Sequence, residues 1–250
     1  LLQRMSIDRA DTGLVVRHVD DSLRTRAVVK DLDVSNSMYR GVLIDKENRT
    51  NYTNYESADI TGLTVTGTGG PGAKTPNIAE AAVEINATGA WLEDVLIDGC
   101  TNVGLRMYFT DASTTVRNMT VKDAGDAGAG AGAHASGVAV RSSYFAPTFD
   151  GLSVTGSPGS GVHASGGGSM QGHTWNLSGN TEYGLRVDMA EVIVDGVLLD
   201  GNGFAGAFIE DGRSVELSNL TASNNGQSGI LPGQQAGLHY LRSNDVESNS

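Results

Sequence analysis

The sequence predicts an all-β protein, a right-handed parallel β-helix of about nine rungs with three short strands in each. Three repeated patterns carry this prediction, and in each of them apolar residues alternate with other residues at the period of two that is typical of strands. The first pattern is apolar, any, apolar, polar and then Asn, Gly or Asp. Its copies are residues 32–36, 63–67, 95–99, 119–123, 152–156, 175–179, 197–201 and 220–224.

A second pattern follows each copy of the first and consists of a Gly that leads an apolar, any, apolar triplet. The leading residues are Gly41, Gly104, Gly137, Gly161, Gly184, Gly206 and Gly229, with Ala82 in the same place. The last five glycines stand at 137, 161, 184, 206 and 229, so that successive intervals are 24, 23, 22 and 23 residues. Such regular spacing predicts a solenoid, in which each repeat forms one turn of a coil.

The third pattern is a short apolar alternation just before the first, seen at residues 27–29, 90–92, 192–194 and 215–217. Every second residue of each strand then points into the coil, and the rungs stack about 4.8 Å apart. Leucine-rich repeats have a compatible period, but their second half is not a Gly-led β triplet. Propeller blades need about 40 residues per repeat, so both alternatives fit less well.

Composition and charge limit the classes of partner that the chain can bind. The 250 residues include 17 basic and 29 acidic residues, which give a net charge of -12 that would repel nucleic acid. No apolar run approaches the roughly 20 residues of a membrane helix, so we expect no membrane insertion. Cys100 is the single cysteine, and an internal disulfide is therefore excluded.

The repeats cover nearly the whole chain, so residues 1–250 are predicted to form one β-helix domain, cut from a longer protein. Two longer intervals predict loops that leave the coil at residues 46–56 and 123–135. The first is polar and the second is rich in Gly and Ala.

Asparagines recur four residues before three of the leading glycines, at Asn180, Asn202 and Asn225. Stacked amides at one corner of successive rungs predict a structural ladder with hydrogen bonds between rungs.

The two G-x-G-x-x-G matches at residues 67–72 and 201–206 open no helix, so we expect no dinucleotide site and no cofactor. A turn could gather Asp98, Asp123, Asp126 and Asp200 around calcium, although no spacing enforces this, and no pair of histidines is suited to zinc.

The outward positions of the Gly-led strands predict the functional face. Arg106 and Arg141 suit neutralisation of a uronate carboxylate, His163 suits a general base, Tyr108 an acid, and Asp188 a group that orients them. These five are the candidate catalytic residues. The candidate ligand-binding residues are Glu84, Asn86, Arg186, Glu210 and, on the strand of the third pattern, Trp91. The alternative is that these charges simply keep the rod soluble and pair across rungs.

The rungs between Met5 and Leu241 resemble the pectin-lyase-like right-handed β-helix superfamily. That resemblance implies the fold, but the superfamily includes lyases, hydrolases, epimerases, phage tailspikes and adhesins, so it implies no single activity. The Asp-Pro-His-Glu sequence of alginate epimerases and the Gly-His-Gly and Arg-Ile-Lys sequences of polygalacturonases are absent from the chain.

Three functions follow as expectations. The leading one is an extracellular or cell-surface module that binds a polysaccharide or surface glycan without catalysis. The first alternative is a uronate-polysaccharide lyase or C5 epimerase that acts through the Arg/Tyr/His face. The second is the structural stalk of an adhesin or filament, with end-to-end self-association through unpaired terminal rungs.

Overall fold

The structure, a computed structural model, describes residues 1–18, 26–46, 56–69, 81–108, 114–125, 135–141, 146–211, 213–233, 239–242 and 245–246. The loops predicted at 46–56 and 123–135 lie for most of their length outside the described residues, over 47–55 and 126–134.

The strands alternate between two sheets as the chain proceeds. The large sheet holds β1 (Leu2–Asp8), β3 (Ala27–Ser35), β5 (Glu56–Thr66), β7 (Gly89–Asp98), β9 (Thr115–Lys122), β11 (Thr148–Thr155), β13 (Ser169–Ser178), β15 (Glu191–Asp200), β17 (Ser214–Ser223), β19 (His239–Arg242) and β20 (Asp245–Val246). The small sheet holds β2 (Thr12–His18), β4 (Arg40–Lys46), β6 (Ala81–Asn86), β8 (Val103–Tyr108), β10 (Val138–Arg141), β12 (Val162–Ser165), β14 (Tyr183–Asp188), β16 (Ala205–Asp211) and β18 (Ser228–Pro232).

Strands pair in parallel with the strand one rung before and one rung after, as β13 does with β11 and β15. A chain that visits two sheets in turn and always pairs in parallel with its previous rung is a coil. The parallel β-helix is therefore confirmed, and each strand of the small sheet together with one long strand makes a rung.

A single left-handed residue bends each of the nine strands of the large sheet from β1 to β17, called here the long strands, near its middle. In β3 the residue is Asp31, with a φ of 54°, and in β15 it is Gly196, with a φ of 77°. The first and third sequence patterns thus join into one bent strand instead of two separate ones. Residues with positive φ at this bend are Arg4, Asp31, Gly62, Asp94, Asn118, Gly151, Thr174, Gly196 and Asn219.

A second left-handed residue ends each long strand and starts the corner that leads to the small sheet. It is the last residue of the first sequence pattern, which explains why that position is Asn, Gly or Asp. The corner residues with positive φ are Arg9, Asn36, Gly67, Gly99, Asp123, Gly156, Gly179, Gly201 and Asn224.

The interior is a thin column of aliphatic side chains with few aromatic ones. Trp175 is 2% exposed, as predicted for a core residue, and its ring meets that of Phe149 edge to face at 5.9 Å. The indole Nε1 donates to the Phe149 carbonyl oxygen at 3.2 Å. A Cβ on Gly172 would lie 2.5 Å from that nitrogen, so the missing side chain makes room for the indole.

The predicted asparagine ladder is confirmed beside the corners. Asn180 Nδ2 donates to Asn202 Oδ1 at 3.1 Å, and Asn202 Nδ2 donates to Asn225 Oδ1 at 3.0 Å. All three side chains are buried and also donate to backbone carbonyl oxygens on the long strand of the rung before their own. The ladder satisfies polar groups that would otherwise be costly in an apolar column.

Candidate functional site

The outward face of the small sheet, called here the arginine face, carries two rows of side chains that run along the rod. Their order follows from the pairing of β6, β8, β10, β12, β14 and β16. The first row holds Glu84, Arg106, Ala139, His163, Arg186 and Phe208, and the second holds Asn86, Tyr108, Arg141, Ser165 and Asp188. The structure thus brings together the predicted site residues on this sheet, as their sequence spacing indicated.

The register changes once along the second row. A bulge between Val187 and Asp188 places Asp211, and not Glu210, opposite Asp188. Glu210 is exposed beside this bulge and contacts Arg186, with Nη2 and Oε2 3.4 Å apart. Its place at the edge of the face could not be read from the period of the strands.

Arg106, Tyr108 and Arg141 form the first group on the face. The guanidinium carbons of Arg106 and Arg141 lie 5.2 Å and 5.6 Å from the centroid of the Tyr108 ring. Burial lowers the pKa of Arg106, and the nearby Glu84 carboxylate opposes that shift. Arg141 is exposed, so the group presents a positive charge and an aromatic ring to solvent.

Glu84 and Asn86 lie next to this group and are buried, at 7% and 8% exposure. The Arg40 side chain, which the sequence analysis did not single out, donates through Nε to Glu84 Oε2 at 2.8 Å. Asn86 Oδ1 is buried without a hydrogen-bond partner among the described residues. Both predicted ligand-binding side chains are therefore covered in this arrangement.

His163, Asp188 and Arg186 form the second group. His163 Nε2 and Asp188 Oδ2 are 2.8 Å apart, and Arg186 Nε donates to the same oxygen at 3.0 Å. An ionised carboxylate only accepts, so Nε2 carries the proton of this bond. Nδ1 of His163 is buried and has no hydrogen-bond partner in the described part of the chain.

The environment of Asp188 favours its charged form. Burial alone would raise the pKa of this carboxyl group, but the hydrogen bond and charge of His163 and those of Arg186 outweigh burial and lower it. Asp188 is thus an ionised acceptor of hydrogen bonds from His163 and Arg186.

An aromatic cluster continues the face beyond Arg186. The Tyr183 and Phe208 rings are stacked, with centroids 5.2 Å apart and an interplanar angle of 21°, and Phe204 meets Tyr183 edge to face at 5.5 Å. Burial raises the pKa of Tyr183. The sequence patterns do not reveal this cluster, because Phe204 stands in a corner and Tyr183 begins β14 one residue before the leading Gly184.

Trp91 lies apart from the arginine face, on β7 of the large sheet. Its outward position is as predicted, and its ring is half-buried. The guanidinium carbon of Arg117 lies 4.6 Å from the ring centroid and covers one face of the indole. A sugar could stack only on the face of the indole that Arg117 leaves uncovered. Because Trp91 lies on the other sheet, that sugar would not contact the arginine face.

Metal ligands do not gather in the described ranges. No group of three or more His, Cys, Asp or Glu side chains there is close enough to hold a metal ion. Of the aspartates considered for calcium, Asp126 falls outside these ranges, and Asp200 instead accepts from Ser223 and Asn224 of the next rung.

The family of the chain follows from its last 147 residues. A family model described as "Right handed beta helix region" matches residues 104–250, which is more than half of the 250 residues. The chain belongs to this right-handed β-helix family. Comparison with curated proteins finds no match for the β-helix.

Solved structures similar to this β-helix include two polysaccharide-associated or phage proteins. Full-length tailspike protein 2 from Escherichia coli O157:H7 bacteriophage CAB120 aligns with 12% identity and a TM-score of 0.44, over 86% of this chain and 39% of the tailspike. The periplasmic alginate epimerase AlgG aligns with 12% identity and a TM-score of 0.38, over 86% of this chain and 65% of the epimerase. The β-helix thus spans less than two thirds of either protein, and similarity this low carries no argument about activity.

Among the described residues of the β-helix, no helix has the length and apolar character needed to cross a membrane.

Proposed function

We propose that the arginine face binds an acidic polysaccharide without transforming it. The observation that carries this proposal is the exposed guanidinium group of Arg141, which lies beside the Tyr108 ring. No described residue forms an ion pair with Arg141. A guanidinium group binds a carboxylate in a bidentate manner, and an aromatic ring offers an apolar surface to the sugar.

The charges of the face support an anionic ligand at this point. Arg40 is neutralised by Glu84, and Arg186 by Asp188 and Glu210, whereas no acidic side chain in the described ranges pairs with Arg141. The protein carries a net charge of -12, but repulsion from distant carboxylates is screened beyond about 8 Å at physiological salt. Local charge therefore decides which polymer binds.

The side chain next to Arg141 in the second row is small. Ser165 follows Arg141 on the next rung and is partly exposed, so it leaves room for a ligand beside the guanidinium group. Ala139, between Arg106 and His163 in the first row, is buried at 5% exposure and packs against Ala81 and Val103. A uronate carboxylate above Ser165 would reach Arg141.

Titration calorimetry with oligogalacturonate and oligoguluronate tests this proposal, with a neutral oligosaccharide of equal length as comparison. We expect binding of the acidic chains only, and a loss of affinity of about tenfold or more in Arg141→Ala, because a charge-assisted bidentate contact is removed. Arg9→Ala, which removes an exposed arginine at a distant corner, is the matched control. Equal binding of neutral chains, or no loss in Arg141→Ala, would overturn the proposal.

Catalysis as a lyase or C5 epimerase is the second candidate, and the His163–Asp188 pair is what favours it. In this arrangement, however, Nε2 is bonded to Asp188 and Nδ1 is buried, so neither nitrogen is open to a sugar proton. Binding therefore fits the geometry better than proton abstraction. Absorbance of unsaturated sugars tests for a lyase, and proton NMR of the recovered polymer tests for an epimerase. Product in either assay, lost in His163→Ala, would establish catalysis.

An extracellular or cell-surface location accompanies the proposed ligand, since acidic polysaccharides lie outside cells. The stalk with end-to-end self-association stays a prediction. Light scattering over a range of protein concentrations tests it, because rungs that stack end to end would raise the mass with concentration.

A further inference from the structure

A furrow runs along the large sheet, on a different face of the rod from the arginine face. It follows the bends of β3, β5, β7 and β9 and has a volume of about 530 Å³. The furrow is lined by Asp31, Asp33, Gly62, Leu63, Thr64, Asp94, Val95, Leu96, Asn118, Thr120 and Lys122. It extends across four rungs, so it suits an extended chain that lies parallel to the rod.

The bends themselves create this furrow. Asp31, Gly62, Asp94 and Asn118 are successive left-handed residues, and each turns its strand at the same height. Gly62 leaves open space between two acidic side chains, and Asp31 Oδ1 would lie 3.0 Å from a Cβ at that position. A groove results where stacked strands would otherwise give a flat sheet.

The furrow is acidic where the arginine face is basic. Asp31, Asp33 and Asp94 line it against a single cation, Lys122. Asp94 accepts a hydrogen bond from Asn118 Nδ2 at 3.0 Å, and no described residue forms an ion pair with Asp31 or Asp33. These charges favour a cationic occupant. Because the described carboxylates do not gather in a group fit for a metal ion, the cationic charges must be spread along the ligand.

The remaining lining residues fit a sugar. Thr64, Leu96 and Thr120 follow one another on successive rungs and place hydroxyl groups on both sides of an apolar side chain. Sugar rings likewise combine hydroxyl edges with apolar faces. Asp31 and Asp94 are separated by two rungs, roughly 10 Å, which is about the repeat of two units in an extended β-linked chain.

We infer that this furrow binds a linear chain of amino sugars with free ammonium groups. Asp31 and Asp33 contact the ammonium group of one unit, and Asp94 contacts that of the next unit but one. Thr64 and Thr120 hydrogen-bond to hydroxyl groups between them, and a ring rests on Leu96. The arginine face and the furrow then bind polymers of opposite charge on two faces of one rod.

Titration calorimetry with glucosamine oligomers, at a pH below the pKa of the sugar amine, tests this inference. We expect the fully N-acetylated oligomer of equal length to bind at least tenfold more weakly. Asp31→Asn and Asp94→Asn should each weaken glucosamine binding roughly three- to tenfold. Asparagine already occupies this bend at Asn118 and Asn219 with positive φ, so both variants keep the backbone.

Two controls separate this site from its surroundings. Asp195→Asn removes a carboxylate beside the bend of β15, outside the furrow, and Arg141→Ala changes only the arginine face; neither should alter glucosamine binding. Equal affinity for the acetylated oligomer, or unchanged affinity in both furrow variants, would overturn the inference. Spermine binding as tightly as the oligomer, with the same losses in the variants, would overturn the sugar assignment, because the furrow would then bind any extended cation.

Discussion

At the scale of single residues, backbone conformation decides much of the composition. Most bends and corners are Gly, Asn or Asp, the residues that tolerate positive φ. Thr174 is an exception, since it is β-branched and takes a φ of 58° at the bend of β13. Its side chain is exposed, so no packing in the core compensates for the strain.

Thr174→Asn should therefore raise the free energy of unfolding by about 1 kcal/mol, because Asn adopts the left-handed region at lower cost than a β-branched residue. Urea unfolding followed by circular dichroism measures the change. Thr155→Asn, in an ordinary extended position of β11, is the control and should not stabilise the protein. A Thr174→Asn variant less stable than the wild type would contradict this account of the bend.

The carboxyl group of Asp188 links stability to pH. Its pKa lies below the ordinary value of 3.8, so the folded state favours the charged form. That contribution is complete above the ordinary pKa and is lost as the pH falls through the lowered one. Asp8, Asp195 and Asp200 also have lowered pKa values, through hydrogen bonds from the next rung.

At about pH 7, Asp188→Asn should be less stable than the wild type by about 1–2 kcal/mol, since a charged acceptor of two hydrogen bonds is lost. The difference should be smaller at a pH below 3.8, because the contribution of the charged form is lost as the pH falls through the lowered pKa of Asp188. Urea unfolding of both proteins at each pH tests this, and the other aspartates cancel in the comparison. An equal difference at both pH values would show that Asp188 acts only through packing.

At the scale of one rung, two glycines five residues apart in sequence serve different purposes. A Cβ on Gly184 would lie 2.7 Å from the carbonyl oxygens of both Gly206 and Leu177, so close packing of rungs excludes a side chain there. Gly179 has a φ of 64°, and a Cβ on it would meet nothing within 4 Å. Gly184 is required because a side chain would not fit there, and Gly179 is required because its backbone is left-handed.

Gly184→Ala should consequently cost about 2 kcal/mol of unfolding free energy or more, through overpacking. Gly179→Asn should stay within about 1 kcal/mol of the wild type, because Asn36 and Asn224 occupy the equivalent corner. Thermal and urea unfolding of the two variants compare them directly. Equal destabilisation by both would mean that space and backbone freedom cannot be separated in this rung.

At the scale of the whole molecule, each rung depends on its neighbours for burial. Met5, Ile7, Leu14 and Val16 of the first rung are only partly buried, whereas the inward residues of middle rungs are covered from both sides. A solenoid of this kind is stabilised by the contacts between adjacent rungs, so its stability varies along the rod.

Amide hydrogen exchange followed by mass spectrometry should reveal that gradient. We expect β1 and β2 to exchange fastest among the described strands, and β7, β13 and β15 slowest, because opening a middle rung breaks two interfaces instead of one. Peptides from β19 and β20 supply the comparison at the other end. Uniform protection along the rod would instead indicate a single cooperative unit.

The sequence by itself determined the coil, its period, the corners and the arginine face. These follow from local properties: alternation fixes which side chains point outward, and positive φ selects Gly, Asn or Asp at a corner. Only the tertiary structure decided the rest. The pairing of His163 with Asp188 and the furrow of Asp31 and Asp94 depend on how rungs stack, since they join residues 25 and 63 positions apart. The displacement of Glu210 depends on a bulge, which a single inserted residue creates.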